Sequence, residues 1–441
     1  MNFHSADTIV QERIKRNYKE CMEANIYTKL FLGALFFKSL IESLLDKRNL
    51  DHIVKHRGAV PPQFASQISL ADHQKAADYS VEKIRIKQYF HLFDLIVFLL
   101  FTLGGGLEAI NRLSMSFSGS SDIINGLRFF AILGVITSLL SLPQSLYFTF
   151  IIEEKYGFNK TTWKIFLTDM AKGALLAVII GGPVAYAVLW IMEKLGTNWW
   201  MYAFAFLTFT QLLLIFIYPA FIAPLFNKFS PLPEGEVKQK IVNLMERCGF
   251  HSKGLFVMDA SKRSGHGNAY FTGLGKNKRV VFFDTLLHSL DADEVESVLA
   301  HELGHMKKHH ILKGMLKSFV ISFLGFALLG YLKEDISFFR GHGVLTPNNY
   351  MALTLFSMVA GIYTFFLTPV SAYFSRKYEY EADEFASQHA KASKLISALV
   401  KMYKDNASSL TPDPVYSKFY FSHPPASERV AYLEKFPANP A

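Results

Sequence analysis

The stretch "SVLAHELGHMKKHH", residues 297–310, holds four histidines and one glutamate in a segment that otherwise reads as helix. Residues i and i+4 of a helix lie on one face, so His301 and His305 can direct their imidazoles at one ion. In the pattern H-E-x-x-H, two such histidines bind zinc and the glutamate, here Glu302, is the general base for an activated water. A solvated polar helix face is the competing interpretation. The helical context, the small Gly304 and a nearby candidate third ligand favour the metal site.

A third ligand must come from elsewhere, because catalytic zinc has three protein ligands and one open position. The segment "SRKYEYEADEFASQHA", residues 375–390, is predicted to be helical and carries the carboxylates Glu379, Glu381, Asp383 and Glu384. Glu379 and Asp383 are spaced i, i+4, so one can bind the ion while the other accepts a hydrogen bond from a ligand's ring N–H. The spacing does not choose between Glu379 and Glu381, and a solvated acidic face is the alternative.

The composition indicates a membrane protein. Of the 441 residues, 51% are hydrophobic and only 19% are charged, against about 25% charged in soluble domains. The net charge is +9, but no basic motif with interleaved aromatics occurs, which argues against nucleic acid as a partner. Cys21 and Cys248 form no C-x-x-C pair, and this excludes a disulfide framework or a cysteine zinc site. The first 25 residues contain no apolar segment of the kind found in a cleaved signal peptide.

Seven stretches qualify, or nearly qualify, as membrane helices of about 20 apolar residues. They are 26–45, 89–107, 129–152, 173–192, 199–218, 315–332 and 350–374. The chain is thus divided into a region with spans one to five (1–226), a polar section (227–314), a span pair (315–374) and a second polar section (375–441). Because the pair is even in number, both polar sections fall on one face of the membrane and can build one site.

The charge bias predicts that this face is cytoplasmic. The short loops 46–88 and 153–172 would then hold twelve Lys and Arg residues, against four or five in the loops of the opposite side. This distribution agrees with the positive-inside rule, although the N-terminal tail, with four basic residues, would lie outside and counts against it.

Ionisable residues also occur within the first two spans. Lys38 and Glu42 lie in the first span, and His91 and Asp94 lie in the second. Such groups usually face protein or water rather than lipid. Alternatively, Lys38 and His91 could extend to a membrane interface.

The polar sections are predicted to be α+β. Residues 254–260 and 278–284 are rich in Val and Phe and read as short strands. Residues 290–310 read as a helix with Asp291 as its N-cap. The remaining histidines, His266, His309, His310 and His389, match no ligand position and are predicted to lie at the surface or the membrane interface.

The HELGH motif, followed after a span pair by "EYEAD", resembles the M48 family of integral-membrane zinc proteases. The resemblance implies that Glu379, the first Glu of an E-x-x-x-D pattern, is the third zinc ligand and that Asp383 supports the site. It implies a mainly α protein with seven transmembrane helices and a cytosol-facing, zincin-like α+β metalloprotease module. One catalytic Zn²⁺ per chain is expected.

Two further segments carry the resemblance. "GNAYFTG" (267–273) is similar to the family's substrate-binding edge strand, in which Asn268 and Ala269 would pair with the peptide backbone. "FSHPPASER" (421–429) is similar to its His-Pro…Arg segment, in which His423 would stabilise the oxyanion and Arg429 would help to fix the substrate or the site. An ordinary turn and an ordinary loop are the alternatives for these two segments.

The whole of 26–436 is similar to the CAAX prenyl protease branch of the family. The resemblance implies an endopeptidase that acts on protein or peptide substrates, possibly prenylated, at the lipid bilayer. The membrane would be the plasma membrane in a bacterium or the endoplasmic reticulum in a eukaryote. A quality-control protease of misfolded or stalled membrane proteins, as in the HtpX-like branch, would use the same site. A non-catalytic membrane scaffold is disfavoured because Glu302 is intact.

Overall fold

The structure is a computed structural model that describes residues 26–117, 121–250, 254–272 and 279–437, and it is mainly helical. Cys21 and the basic N-terminal tail lie outside the described residues. The helices before residue 227 are α1 (Ile26–His56), α2 (Leu70–Phe101), α3 (Gly106–Met115), α4 (Asp122–Tyr147), α5 (Trp163–Leu176), α6 (Gly182–Lys194), α7 (Trp199–Ile217) and α8 (Ala223–Phe226).

Five of the seven predicted membrane spans are confirmed as candidates. Among the residues that the structure describes, five helical stretches are long and apolar enough to cross a bilayer: Asp122–Glu153, Trp163–Lys194, Gly196–Phe226, His310–Leu332 and Asn349–His389. Helices α2 and α3, bent by 54° at a short break, add a sixth if they form one broken span. The predicted count of seven is not confirmed, because residues 26–45 begin α1 but carry three charges, Lys29, Lys38 and Glu42.

Three of the four ionisable residues of α1 and α2 contact one another and are partly buried, whereas Asp94 is exposed. Lys38 donates a 2.7 Å hydrogen bond to Glu42, and His91 Nε2 lies 3.2 Å from the same carboxylate. Lys38 and His91 are therefore directed at a shared partner rather than separately at an interface. Large apolar side chains of the spans point outwards instead, as in Val178 (71% exposed) and Phe209 (64% exposed). An outward apolar surface of this kind suits a lipid environment.

The second half of the chain interleaves the polar module with two spans. Its elements are β1 (Phe229–Pro231), α9 (Glu236–Arg247), β2 (Leu255–Met258), β3 (Ala269–Thr272), β4 (Arg279–Phe283), α10 (Asp284–Ser289), α11 (Ala292–Lys307), α12 (His310–Leu332), α13 (Ile336–Gly341), α14 (Asn349–Thr364), α15 (Thr368–His389), α16 (Ala392–Asp405), α17 (Pro414–Tyr420) and α18 (Ala426–Leu433).

The four strands form one sheet in the order β1-β2-β4-β3. Strands β2 and β4 pair in parallel, and they confirm the two strands predicted at 254–260 and 278–284. Strand β3 pairs antiparallel with β4 and stands last in the order of the described strands. An edge strand presents unpaired backbone groups on its outer side, which an extended peptide can use.

The helix that carries the HELGH motif begins as predicted. Asp291 is its N-cap and accepts a hydrogen bond from the Glu294 N–H, and Glu294 accepts one from the Asp291 N–H. This capping box satisfies two backbone donors at the start of α11. The helix ends earlier than predicted, because His309 adopts a left-handed conformation (φ 58°) and α12 starts anew at the next residue.

The membrane bundle and the polar module each have a hydrophobic core of their own. One joins the helices of the bundle and includes Phe129, Leu189 and Leu355. The other lies between the sheet and helices α9, α11, α15 and α16, and it includes Phe282 and Leu303. Helix α11 is thus held on one side by the sheet and on the other by α15, the helix predicted to bring the third ligand.

Candidate metal centre

The three predicted metal ligands lie together where α11 packs against α15. His301 Nε2 and His305 Nε2 are 3.2 Å apart, and the two carboxylate oxygens of Glu379 lie 3.4 Å and 3.3 Å from them. In the part of the chain that the structure describes, this is the one group of three such residues whose ligand atoms lie within 4.8 Å of one another. Glu379, and not Glu381, meets the two histidines.

A glycine permits this close approach of the two helices. A Cβ atom added to Gly304 would lie 2.9 Å from Ala382 Cα and 3.1 Å from the carbonyl oxygen of the same residue. Real Cβ atoms do not approach backbone so closely, and backbone of a packed helix cannot move aside cheaply. The Gly of HELGH is therefore required by the packing of α11 on α15.

Neighbouring side chains fix the orientation of both histidine rings. His301 Nδ1 lies 2.8 Å from Asp383 Oδ1, and His305 Nδ1 lies 3.0 Å from His310 Nδ1. A carboxylate can only accept a hydrogen bond, so Nδ1 of His301 carries a proton, and Nε2 is the ring atom that is left to bind a metal ion once its own proton is displaced. A metal-binding imidazole needs its Nδ1 proton to be fixed in this way.

Arg429 lies behind the site rather than on an accessible surface. It is 7% exposed, and its Nε and Nη2 atoms donate to the two oxygens of Asp383. Its Nη1 atom is 3.6 Å from Glu379. Arg429 thus contacts the residues behind the site, and both roles predicted for it, with the substrate or with the site, stay predictions.

The electrostatics of the pocket favour a cation. Burial and the nearby Arg429 act to lower the pKa of His301, but the carboxylates of Asp383 and Glu379 outweigh them and raise it to about 9. A positive charge is thus stabilised at this imidazole, and a bound metal ion would supply that charge in place of a proton.

The donor atoms fit a tetrahedral metal ion. Ligands about 2.0–2.1 Å from zinc in tetrahedral geometry are about 3.3 Å from one another, which matches the separations between His301, His305 and Glu379. Glu379 is buried, and its carboxylate faces the ring nitrogens of both histidines. A cation between these three side chains would satisfy lone pairs that converge on one buried point.

The two predicted catalytic residues lie next to the metal ligands, Glu302 in the sequence and His423 in space. Glu302 follows His301 on α11 and is partly exposed. His423 lies in the turn between α17 and α18, where its Nδ1 atom is 2.8 Å from Glu379 Oε2 while its side chain remains 64% exposed. The "FSHPPASER" segment therefore does bring a histidine to the metal ligands.

The two predicted substrate-binding residues lie at the start of the edge strand. Asn268 is exposed, and its side-chain oxygen accepts a hydrogen bond from the Ala269 N–H. Its carbonyl oxygen accepts one from the Phe283 N–H of β4. Ala269 itself is the first residue of β3.

His266, predicted to lie at the surface or interface, anchors the segment before this strand. Its Nε2 atom is 3.3 Å from Glu153, at the end of a membrane span, and its Nδ1 atom is 3.2 Å from Asn406 Oδ1. The same Asn406 oxygen accepts the Gly267 N–H, and the ring of Phe158 stacks on the imidazole. The approach to β3 is thereby tied to the membrane bundle.

His310 corrects another prediction, since it is buried and not at the surface. Its two ring nitrogens contact His305 Nδ1 and Glu381 Oε2, each at 3.0 Å. The position of His310 in the sequence did not indicate that it would contact His305. By contrast, His309 is exposed and His389 contacts its own helix, with its ring stacked on Phe385.

Two protein-family profiles match this chain, one in each half. A family profile described as CAAX prenyl protease N-terminal, five membrane helices, matches residues 49–228. A second, described as Peptidase family M48, matches residues 231–436. CAAX prenyl protease 1 of Saccharomyces cerevisiae is 35% identical, with 93% of this chain and 96% of the relative covered. The homologue of that protein in Homo sapiens is 32% identical, with 92% and 95% covered.

The membrane bundle and the site at its face define an integral-membrane metallopeptidase. The crystal structure of S. mikatae Ste24p superimposes with a TM-score of 0.87 at 33% identity and covers 93% of this chain and 100% of that chain. The chain belongs to the CAAX prenyl proteases of peptidase family M48.

Proposed function

We propose that this chain is a zinc endopeptidase that hydrolyses prenylated CAAX-type peptides near their carboxyl terminus. The observation that carries the proposal is the convergence of His301, His305 and Glu379, with their donor atoms at tetrahedral spacing and both rings held in the ligand tautomer. The substrate class is inferred from relatives of 32–35% identity that are named CAAX prenyl proteases and span nearly the whole chain.

The residues of the chain have distinct roles in this reaction. When bound, zinc would polarise the scissile carbonyl and lower the pKa of a water molecule. Glu302 would act as the general base that accepts a proton from the attacking water and then as the general acid that passes it to the leaving amine. His423, beside Glu379, donates to the oxyanion that develops on the substrate carbonyl.

The peptide would be held beside this machinery by the edge of the sheet. Asn268 and Ala269 offer backbone groups at the start of β3, and an extended peptide can add to such an edge as a further strand. Arg429 and Asp383 act through the ligands: Asp383 accepts from His301, and Arg429 holds Asp383 in place.

The proposed location is a membrane with the site on its cytoplasmic face. The excess of Lys and Arg in the loops 46–88 and 153–172 supports this orientation. The membrane is that of the endoplasmic reticulum in a eukaryotic source and the plasma membrane in a bacterial one. A lipid-facing bundle next to the site also suits a substrate that carries a prenyl chain.

The test compares the purified full-length protein with its Glu302→Gln variant on a farnesylated CAAX peptide. We expect the variant to keep stoichiometric zinc and to lose about 10²–10⁴-fold in kcat, because only the proton-transferring group is removed. Glu296→Gln is the matched control: Glu296 lies on the same helix and pairs with Arg247 instead. Chelation should abolish wild-type cleavage and added zinc should restore it.

Two substrate controls examine specificity. The same peptide without its prenyl group should be cut more slowly, and an unstructured membrane protein should be cut more slowly still. Wild-type rates in the Glu302→Gln variant would refute the catalytic assignment. Equal cleavage of prenylated and unprenylated peptides would refute the substrate class while leaving the peptidase intact.

A further inference from the structure

A buried histidine outside the ligand set stands next to the metal centre. His310 is the first residue of α12 and is 6% exposed, and its ring stacks on Tyr378 with the ring centroids 4.3 Å apart. One of its ring nitrogens contacts His305 and the other contacts Glu381. The imidazole therefore bridges a predicted metal ligand on α11 and a carboxylate on α15.

The Glu381 carboxylate at one end of this bridge determines which nitrogen of each imidazole carries the proton. The Glu381 carboxylate can only accept, so His310 Nε2 carries a proton and donates it. A neutral His310 then has a bare Nδ1, which accepts the proton of His305 Nδ1. The remaining nitrogen of His305, Nε2, is left with its lone pair directed at His301 and Glu379.

We propose that His310 and Glu381 are a positioning pair that holds His305 in its metal-binding tautomer and orientation. The inference rests on the proposed metal site and deepens it. It gives His305 the kind of support that Asp383 gives His301, since a ligating histidine usually donates its other N–H to a fixed acceptor. It also gives Glu381 a function of its own as the acceptor at the end of the bridge.

The pair also joins the site to the membrane. His310 begins a predicted span, and the left-handed His309 before it turns the chain so that residue 310 faces back towards α11. The orientation of one ligand is thereby set by the first residue of a membrane helix.

The test measures zinc affinity by chelator competition on the full-length protein in detergent, with no reference to activity. His310→Phe keeps an aromatic ring for Tyr378 but removes both nitrogens, and we expect zinc affinity to fall about 10–100-fold. His310→Asn places an amide oxygen close to the position of Nδ1, so it should keep more affinity than His310→Phe. Glu381→Gln should weaken binding in the same direction by a smaller factor.

The order of the two His310 variants separates positioning from packing. If the ring only fills space, Phe will preserve zinc binding better than Asn, and the proposal is overturned. The control is His309→Asn, an exposed neighbour whose left-handed conformation Asn tolerates, and it should bind zinc as the wild type does. If His310→Phe does not fold, wild-type affinity in Glu381→Gln overturns the proposal by itself.

Zinc binding by the wild-type protein distinguishes a failure of the proposed metal site from a failure of the positioning pair. A wild-type protein that binds no zinc contradicts the proposed function. A wild-type protein that binds zinc and cleaves peptide, while His310→Phe and Glu381→Gln bind zinc equally well, contradicts only the positioning pair.

Discussion

Asp383 is the most buried charge at the site, and Arg429 is its counterion. The carboxylate is 0% exposed and accepts two hydrogen bonds from the guanidinium, one of 2.9 Å. Arg429→Met would leave this charge without a partner, and removing one member of a buried pair destabilises a protein by about 3–5 kcal/mol. We expect a large fall in the melting temperature of the detergent-solubilised variant.

An exposed pair provides the comparison for that variant. Arg57 and Asp78 contact each other at 2.6 Å, but their side chains are 41% and 45% exposed. Such pairs contribute about 0–1 kcal/mol, so Arg57→Met should melt close to the wild type. A similar melting temperature for the Arg429 and Arg57 variants would show that Arg429 does not stabilise the site.

At the scale of single residues, the sequence predicted the two histidine ligands that share a helix. It did not predict the contact of His310 with His305, which depends on a turn of the backbone. His301 and His305 follow directly from i, i+4 spacing. His310 could not be found in this way, because in a continuous helix it would lie about 140° around the axis from His305. Only the left-handed His309 brings it back. The choice of Glu379 over Glu381 likewise depended on the family resemblance, since both lie on one helix.

At the scale of elements, the site depends on how closely α11 and α15 pack. Gly304→Ala would place a methyl group against the backbone of Ala382. Overpacking of this kind costs about 1–3 kcal/mol, and the helices should separate, so zinc affinity should fall together with the melting temperature.

Gly314→Ala is the matched control for this substitution. Gly314 lies in α12, and a Cβ added there would meet no atom within 4 Å. Alanine is a better helix former than glycine by roughly 1 kcal/mol, so this variant should be at least as stable as the wild type and bind zinc equally well. Unchanged zinc affinity in Gly304→Ala would mean that the helix approach is not tight.

At the scale of the molecule, the spans must place both parts of the module on one face of the membrane. Lys262 and Glu434 lie in the two parts, and Glu334 lies in the loop between the last two spans. Cysteines introduced at these exposed positions, after Cys21 and Cys248 are replaced, should react with an impermeant maleimide in two groups. In sealed vesicles of known orientation, positions 262 and 434 should label from the cytoplasmic side and position 334 from the other.

Labelling of all three positions from one side would contradict the span pair, and labelling of 262 and 434 from the non-cytoplasmic side would contradict the orientation.

Of the seven stretches that hydropathy predicted as spans, six correspond to candidate membrane helices or to the bent helix pair. The stretch 26–45 in α1 is not confirmed as a span, because it carries three charges. The contact between Lys38 and Glu42 could not be predicted from hydropathy, because a hydropathy scale scores one residue at a time.

The separation of the ligands along the chain also bears on how the protein is made. In the sequence, His305 precedes and Glu379 follows most of the helical hairpin built from two candidate membrane spans, His310–Leu332 and Asn349–His389. A ribosome adds about 5–20 residues per second, so the two histidines emerge on the order of ten seconds before the glutamate. Until the last span is inserted and α15 folds against α11, the nascent polypeptide lacks a complete metal site. We therefore expect the nascent chain to have no peptidase activity until this part of it has folded.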